Sequence, residues 1–302
     1  MGAIVPDCFL NVYKPQGITA HDCIQQLRQI LHIKRIGHSG TLDPMAVGVL
    51  PVAVGKYTRL LNFLSGGKVY RAEIQFGIGT DTDDITGQIL QRTPVPHLTL
   101  GQVLPLIPQF VGTISQRPPQ YSAIHYQGQR LYDLARKGVI SKAMIPIRSI
   151  EVEAIQVLAW ESGEFPRLWL EIRCGTGTYI RSIARDLGEL VGCGGCLSAL
   201  QRTASNGFTI EHSLTLPTIQ AHWQTGQLPH PAPEQVLSHM PAVLLNETEL
   251  HRWKMGQALL HDHGYPPDTP IATYDLGHTL QGISLSKKTP QHHGLLTPKV
   301  VL

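Results

Sequence analysis

The chain has 302 residues, a formal net charge of +3 and a pI near 8.6; 42% of it is hydrophobic and 16% is charged. That balance excludes a disordered chain, leaves room for one large domain plus a small one, and falls short of the charge of strongly basic nucleic-acid binders. No stretch is long and apolar enough to span a bilayer. The opening residues, MGAIVPDCFLNVYKPQG, lack the basic-then-apolar order of an export signal, and Pro6 breaks the myristoylation pattern. Five cysteines, an odd number, argue against a disulfide framework, so a reducing cytoplasm is the expected setting. From Pro241 onward five Lys/Arg are offset by five Asp/Glu, so the positive excess lies before that point.

In chain order, TAHDCIQQLRQIL (19–31) predicts a helix, with Cys23, Ile24, Leu27, Ile30 and Leu31 at helical spacing. Thr19 and Asp22 have the spacing of a capping box. Residues 46–64 predict a short strand or turn and then a helix. VYRAEIQFG (69–77) alternates, with Tyr70, Ala72, Ile74 and Phe76 on one face of a strand. LWLEIRC (168–174) alternates likewise and runs through glycines into a helix whose face is Ile180, Ile183, Ala184 and Leu187. Residues 212–242, rich in Pro, Gln, His and Thr, predict a surface connection. The last 60 residues read as a small β-rich module. Strands and helices mix without a βαβ repeat, which points to α+β with a mixed sheet.

Several short motifs fail on inspection. Gly55-Lys56 lacks the glycine spacing of a phosphate loop, and Tyr57 stands where Ser or Thr is required. TDTDD (80–84) loses the calcium-loop ligand set at Ile85 and Arg92. Cys193 and Cys196 form a lone CxxC, best read as small buried thiols at a helix end. His261, His263, His292 and His293 follow no ligand spacing, so no metal is expected.

One carboxylate remains unexplained: Asp43 in GHSGTLDPMAVGVL (37–50), between glycines and a proline. On its own, Leu42-Asp43-Pro44 reads as a turn. It does not stand alone. GHSGTLDPMAVGVLPVAVGKYTRLLNFL, KVYRAEIQFGIGTDTDDITG, QRPPQYSAIHYQGQRLYDLARKG and GTGTYIRSIARDLGELVGCGGCLSALQRTASNGF occur in that order. Together, over about residues 9–210, they resemble the TruB family of tRNA pseudouridine synthases.

The resemblance implies a pseudouridine synthase fold over residues 1–240: a mixed, mainly antiparallel sheet with flanking helices. It adds an RNA-binding insertion near 127–150 that carries Arg130, Arg136 and Lys137. Residues 241–302 are loosely similar to PUA-like modules. The implied reaction detaches the T-loop uridine at tRNA position 55, rotates it and rejoins it through C5, with no metal or other cofactor. Asp43 matches the catalytic carboxylate, which would stabilise or trap charge at the ribose C1′ or attack the base. Arg181 matches its cationic partner. Tyr70 matches the active-site tyrosine that would stack on the uracil and offer a hydroxyl for proton transfer. His38 matches the residue that fills the space of the flipped base.

Tyr179 and Leu200 match pocket-lining positions. Lys14, Lys56 and Arg202 match basic positions that serve phosphates or structure, and Asp84 an acidic-loop position that orders the wall or the RNA. One departure is His125, where the family commonly has lysine; it implies a weaker, pH-dependent RNA contact. The expected partner is the tRNA T arm, gripped by a monomer that needs no protein partner and no membrane. Two alternatives are a guide-RNA-dependent relative of the dyskerin type and a non-enzymatic RNA-binding or tRNA-folding protein.

Overall fold

The computed structural model describes residues 7–122, 124–126, 129–132, 139, 144–261, 264–289 and 292–302. Its first strands are β1 (Cys8–Lys14), β2 (Ile36–His38), β3 (Val47–Val54) and β4 (Lys68–Phe76). A hairpin follows, β5 (Ile78–Thr80) and β6 (Ile89–Arg92), then β7 (Gly112–Gln116) and the two-residue strands β8 (His125–Tyr126) and β9 (Gln129–Arg130). The larger sheet is completed by β10 (Arg148–Glu161), β11 (Arg167–Cys174), β12 (Gly195–Ser205) and β13 (Phe208–Thr209). Its order is β1-β3-β12-β4-β11-β10-β7, with β2 beside β3 and β13 beside β12. The β3 and β12 pair is parallel, and the other neighbours are antiparallel. The α+β class with a mixed, mainly antiparallel sheet is therefore what forms.

The local patterns act as physical chemistry requires. The helix Ala20–Leu31 starts at Thr19, whose hydroxyl accepts from Asp22 N at 3.0 Å while Asp22 Oδ2 accepts from Thr19 N at 3.0 Å. Its Cys23, Ile24, Leu27 and Leu31 pack on Leu10, Val12, Leu50 and Val52. Burying a leucine such as Leu27 stabilises by roughly 1.5–3 kcal/mol. On β4 the alternation holds: Tyr70, Ala72, Ile74 and Phe76 point inward. They share a core with Leu168, Leu170 and Ile172 of β11 and with Ile180, Ile183, Ala184 and Leu187 of the helix Ile180–Val191. Cys193 and Cys196 follow that helix as free, buried thiols.

Two expectations need correction. Residues 47–54 form a full eight-residue strand, and 55–63 a 3-10 helix. The strand runs long because β1, β2 and β12 all pair with it. The stretch 212–242 is not all connection: Leu216–Gln224 is a helix, and its Leu216 and Ile219 join the core beneath Ala20–Leu31. Half of the expected insertion near 127–150 lies outside the described residues, Arg136 and Lys137 included.

The C-terminal residues build a second sheet from β14 (Ala242–Leu245), β15 (Leu259–Leu260), β16 (Pro270–Asp275), β17 (Leu280–Thr289) and β18 (His292–Val301). Its order is β14-β16-β17-β18-β15. The two sheets meet through one cluster: Phe9, Val49 and Ala53 from the first, Leu60 from the 3-10 helix after β3, and Ala272, Tyr274, Leu280, Ile283 and Val300 from the second. Strand β3 is thus buried on both faces. Among the described residues, no helix is long and apolar enough to cross a membrane.

Gly48 shows how tightly β3 meets β12. Its φ is +109°, and a Cβ there would lie 2.2 Å from the Arg202 carbonyl oxygen. Gly48→Ala is expected to destabilise the fold by about 3 kcal/mol or more. Urea unfolding checks this; a midpoint equal to the wild type's would contradict the close approach.

Candidate active site

The loop between β2 and β3 carries Asp43. Gly40 turns it at φ +79°. Ser39 N donates to Pro51 O at 2.9 Å, and Ala46 N to Asp43 O at 3.1 Å. From below, Lys14 donates its ammonium to the carbonyls of Pro15 and Ile18 at 2.8 Å and of Pro44 at 3.5 Å. Arg202 donates to Gly40 O at 2.9 Å, Thr41 O at 3.4 Å and Val49 O at 2.8 Å. Both residues are 0% exposed and spend these contacts on holding the loop, which fits the structural one of the two roles open to them. Burial pulls the Lys14 ammonium down to about 8.

Arg181, in the first turn of Ile180–Val191, faces Asp43 side-on. Its Nε lies 2.9 Å from Asp43 Oδ2, and its Nη2 donates to Asp43 Oδ1 at 3.0 Å. The same guanidinium donates to Thr82 O and Tyr121 O, both at 3.0 Å, and lies 3.6 Å from Asp84 Oδ2. The Arg181 side chain is 5% exposed and that of Asp43 34%. The cation is therefore sealed inside while the carboxylate opens outward.

Asp84 is 4% exposed and accepts from the Thr82 and Thr86 hydroxyls and from Thr86 N. These contacts fit the first of the two roles open to Asp84, ordering the wall. One residue away, Asp83 takes a left-handed φ of +62° and meets Arg185 at 2.6 Å.

Asp43, Asp84 and Arg181 line a cavity of about 910 Å³, which also includes Tyr70, Tyr121, Ser122, Tyr132, Tyr179 and Leu200. Tyr70 is 6% exposed. Burial pushes its phenol up, against the pull of Arg202, so the hydroxyl stays protonated at neutral pH. Tyr179 caps its helix and is gripped through its backbone by Gln116, at 3.1 Å to its carbonyl and 2.8 Å from its N–H.

The structure thus gathers Asp43, Tyr70, Arg181, Asp84, Tyr179 and Leu200 at one cavity. His38 ends β2, half-buried and outside the residues lining that cavity; burial pulls its imidazole down, toward the neutral form. Lys56 is exposed and also outside the lining. The His125 side chain lies outside the described residues. Among the described residues no cluster of His, Cys, Asp and Glu could hold a metal. Sequence reasoning missed Lys68, Tyr121, Gln116 and Arg185. For Lys68 a signal existed, since it keeps phase with Tyr70 on β4.

A carboxylate held by a buried arginine stands at the mouth of an aromatic-lined cavity on a mixed sheet. The fold that carries this site matches solved structures over nearly the whole chain. One is titled "Structure of H/ACA RNP bound to a substrate RNA containing 2'-deoxyuridine", with a TM-score of 0.72 and 23% identity, covering 97% of this chain and 84% of that one. Another is a Cbf5-Nop10-Gar1 complex, also at 0.72, with 24% identity over 98% of this chain and 84% of that one.

At the level of sequence the match is narrower: the chain belongs to the TruB family of pseudouridylate synthases. The model of that family's N-terminal domain matches residues 28–180, and that of the tRNA pseudouridylate synthase B C-terminal domain matches 181–243. The tRNA pseudouridine synthase B of Gloeobacter violaceus is 54% identical over 84% of this chain and 87% of its own length. That of Synechocystis is 44% identical over 97% of this chain and 99% of its own.

Proposed function

We propose that the chain converts the T-loop uridine at position 55 of tRNA to pseudouridine, with Asp43 as the catalytic carboxylate. The observation that carries this reading is the Asp43–Arg181 pair, whose anion faces the cavity and whose cation is buried. Arg181 meets both carboxylate oxygens of Asp43, at 2.9 and 3.0 Å, and fixes its rotamer. In the reaction the N1–C1′ bond breaks, the base turns, and C5–C1′ forms. The proton lost from C5 is balanced by one gained at N1, so no oxidant, reductant or cofactor enters. Asp43 stabilises or traps the positive character that develops at C1′. Tyr70 stacks on the uracil and, as a neutral phenol, offers its proton-bearing oxygen at the sugar or C5. Tyr179 and Leu200 shape the remaining walls.

The uridine must leave the RNA stack to reach the cavity, and in this reading His38 fills the gap it leaves. Lys56, with His125 and the basic residues near 127–150, contacts the T arm. Residues 1–240 act as the catalytic domain and 241–302 as a PUA-like module. The chain works in the cytoplasm, as a monomer without an obligatory protein partner.

The test uses purified protein and a T-arm stem-loop RNA without added cofactor, reading pseudouridine by mass spectrometry. Conversion at the T-loop uridine is expected. Binding without conversion would sink the stand-alone reading and favour a guide-dependent or RNA-folding role.

A further inference from the structure

The inner row of β4 runs Lys68, Tyr70, Ala72, Ile74, Phe76 from the cavity into the core. Four positions carry what an inward-facing row requires. The first carries an ammonium, which an inward position tolerates only when the charge is matched. The neighbouring buried cations are matched. Lys14 and Arg202 meet backbone carbonyls, Arg181 meets Asp43 and Asp84, and Arg185 meets Asp83 and Asp186.

Lys68 differs. It is half-buried and lines the cavity, and its ammonium takes part in no hydrogen bond or ion pair among the described residues. The charged group closest in influence is another cation, Arg202; burial first, and then Arg202, pull the Lys68 ammonium down. A Cβ built on Gly40 would lie 3.5 Å from Lys68 Nζ and 3.4 Å from Arg202 Nη1. Two cations therefore flank the backbone of the loop that carries Asp43. Arg202 donates through each of its three nitrogens to a carbonyl, of Gly40, Thr41 and Val49, and Lys68 has no such partner among the described residues. Lys68 thus presents an unmatched positive charge to the cavity that Asp43 also lines.

A uridine residue within RNA has a neutral base and a neutral sugar at physiological pH. Its anions are the phosphodiesters on either side. We propose that Lys68 binds a phosphodiester oxygen flanking the uridine that enters the cavity. The inference rests on the RNA-uridine reading above and assigns the anchor that seats the flipped nucleotide. A lysine suits this task as a compact point charge that follows a phosphate without demanding bidentate geometry.

The experiment compares wild type, Lys68→Met and Lys68→Arg for binding to the T-arm stem-loop over a salt series. Thermal melts verify the fold of each variant. Lys68→Met is expected to bind roughly tenfold more weakly, the worth of about one charge-assisted hydrogen bond. Its slope of log affinity against log salt is expected to be shallower by about one, while Lys68→Arg keeps the wild-type slope. A methylphosphonate at the phosphate contacted should weaken wild type but not Lys68→Met. Wild-type slope and affinity in Lys68→Met, with conversion intact in the wild type, would overturn the assignment and leave the enzyme reading standing. A wild type that neither binds nor converts the stem-loop would overturn the reading itself and this inference with it.

Discussion

Asp43→Asn is expected to slow single-turnover conversion of the T-loop uridine by roughly 10⁴-fold or more, the scale on which loss of a nucleophilic group acts. The substitution keeps the volume and the planar end group, so Gly40, Pro44 and the carbonyl contacts of Lys14 and Arg202 still shape the loop. What it removes is the negative charge where positive character builds at C1′. An amide also sets an N–H group against the Arg181 guanidinium, which has no acceptor to offer. Affinity for the stem-loop should stay near the wild type's, because phosphate contacts and not Asp43 dominate RNA binding. Rapid-quench kinetics with mass-spectrometric readout checks both halves. Retention of even a tenth of the wild-type rate would remove Asp43 from the chemistry.

Arg181→Met is expected to damage both stability and turnover. The residue is the only described group that touches Asp43, Asp84, Thr82 O and Tyr121 O together. Its loss strands Asp84, whose side chain is 6% exposed, as a buried charge without its cation. Breaking a buried pair in this way costs about 3–5 kcal/mol. Arg181→Lys separates the two effects. A lysine keeps the charge and spares much of the stability, but one ammonium cannot reproduce the side-on pairing with Asp43 and reach two carbonyls as well. Turnover in Arg181→Lys is expected to fall by roughly 10²- to 10³-fold at saturating RNA. Urea unfolding and single-turnover rates, measured on the same preparations, decide it. A stable Arg181→Lys enzyme with the wild-type rate would show that charge alone suffices.

Local features of this fold were legible in the sequence. The Thr19–Asp22 capping box, the alternation along β4 and β11 and the helical face of 180–191 each involve neighbours a few residues apart, and each forms as read. The helix at 216–224 escapes because Pro217, Gln220, His222 and Gln224 interrupt its apolar contacts, Leu216, Ile219 and Trp223. Which cations turn inward was not legible. Lys14 and Arg202 look like surface charges in a string of letters; only the approach of β12 to β3 brings Arg202 under a loop some 160 residues earlier in the chain. Asp43 and Arg181, 138 positions apart, could be paired only through the family resemblance. Lys68 escapes because the apolar alternation begins only at Val69, and an ammonium is not expected on the inward face of a strand.

The double burial of β3 bears on how a nucleotide gets in. The strand that follows the Asp43 loop is clamped by the Ala20–Leu31 helix on one side and by the second sheet on the other. Loosening it would break two cores at once. The opposite wall is fastened differently: 117–122 is held by side-chain contacts from Arg181, Ser182 and Arg185, and 80–86 by Arg181 together with backbone hydrogen bonds of Asp83 and Ile85 with Leu197 of β12. The carboxylate therefore stands on a floor that two cores hold, facing a wall that polar contacts hold.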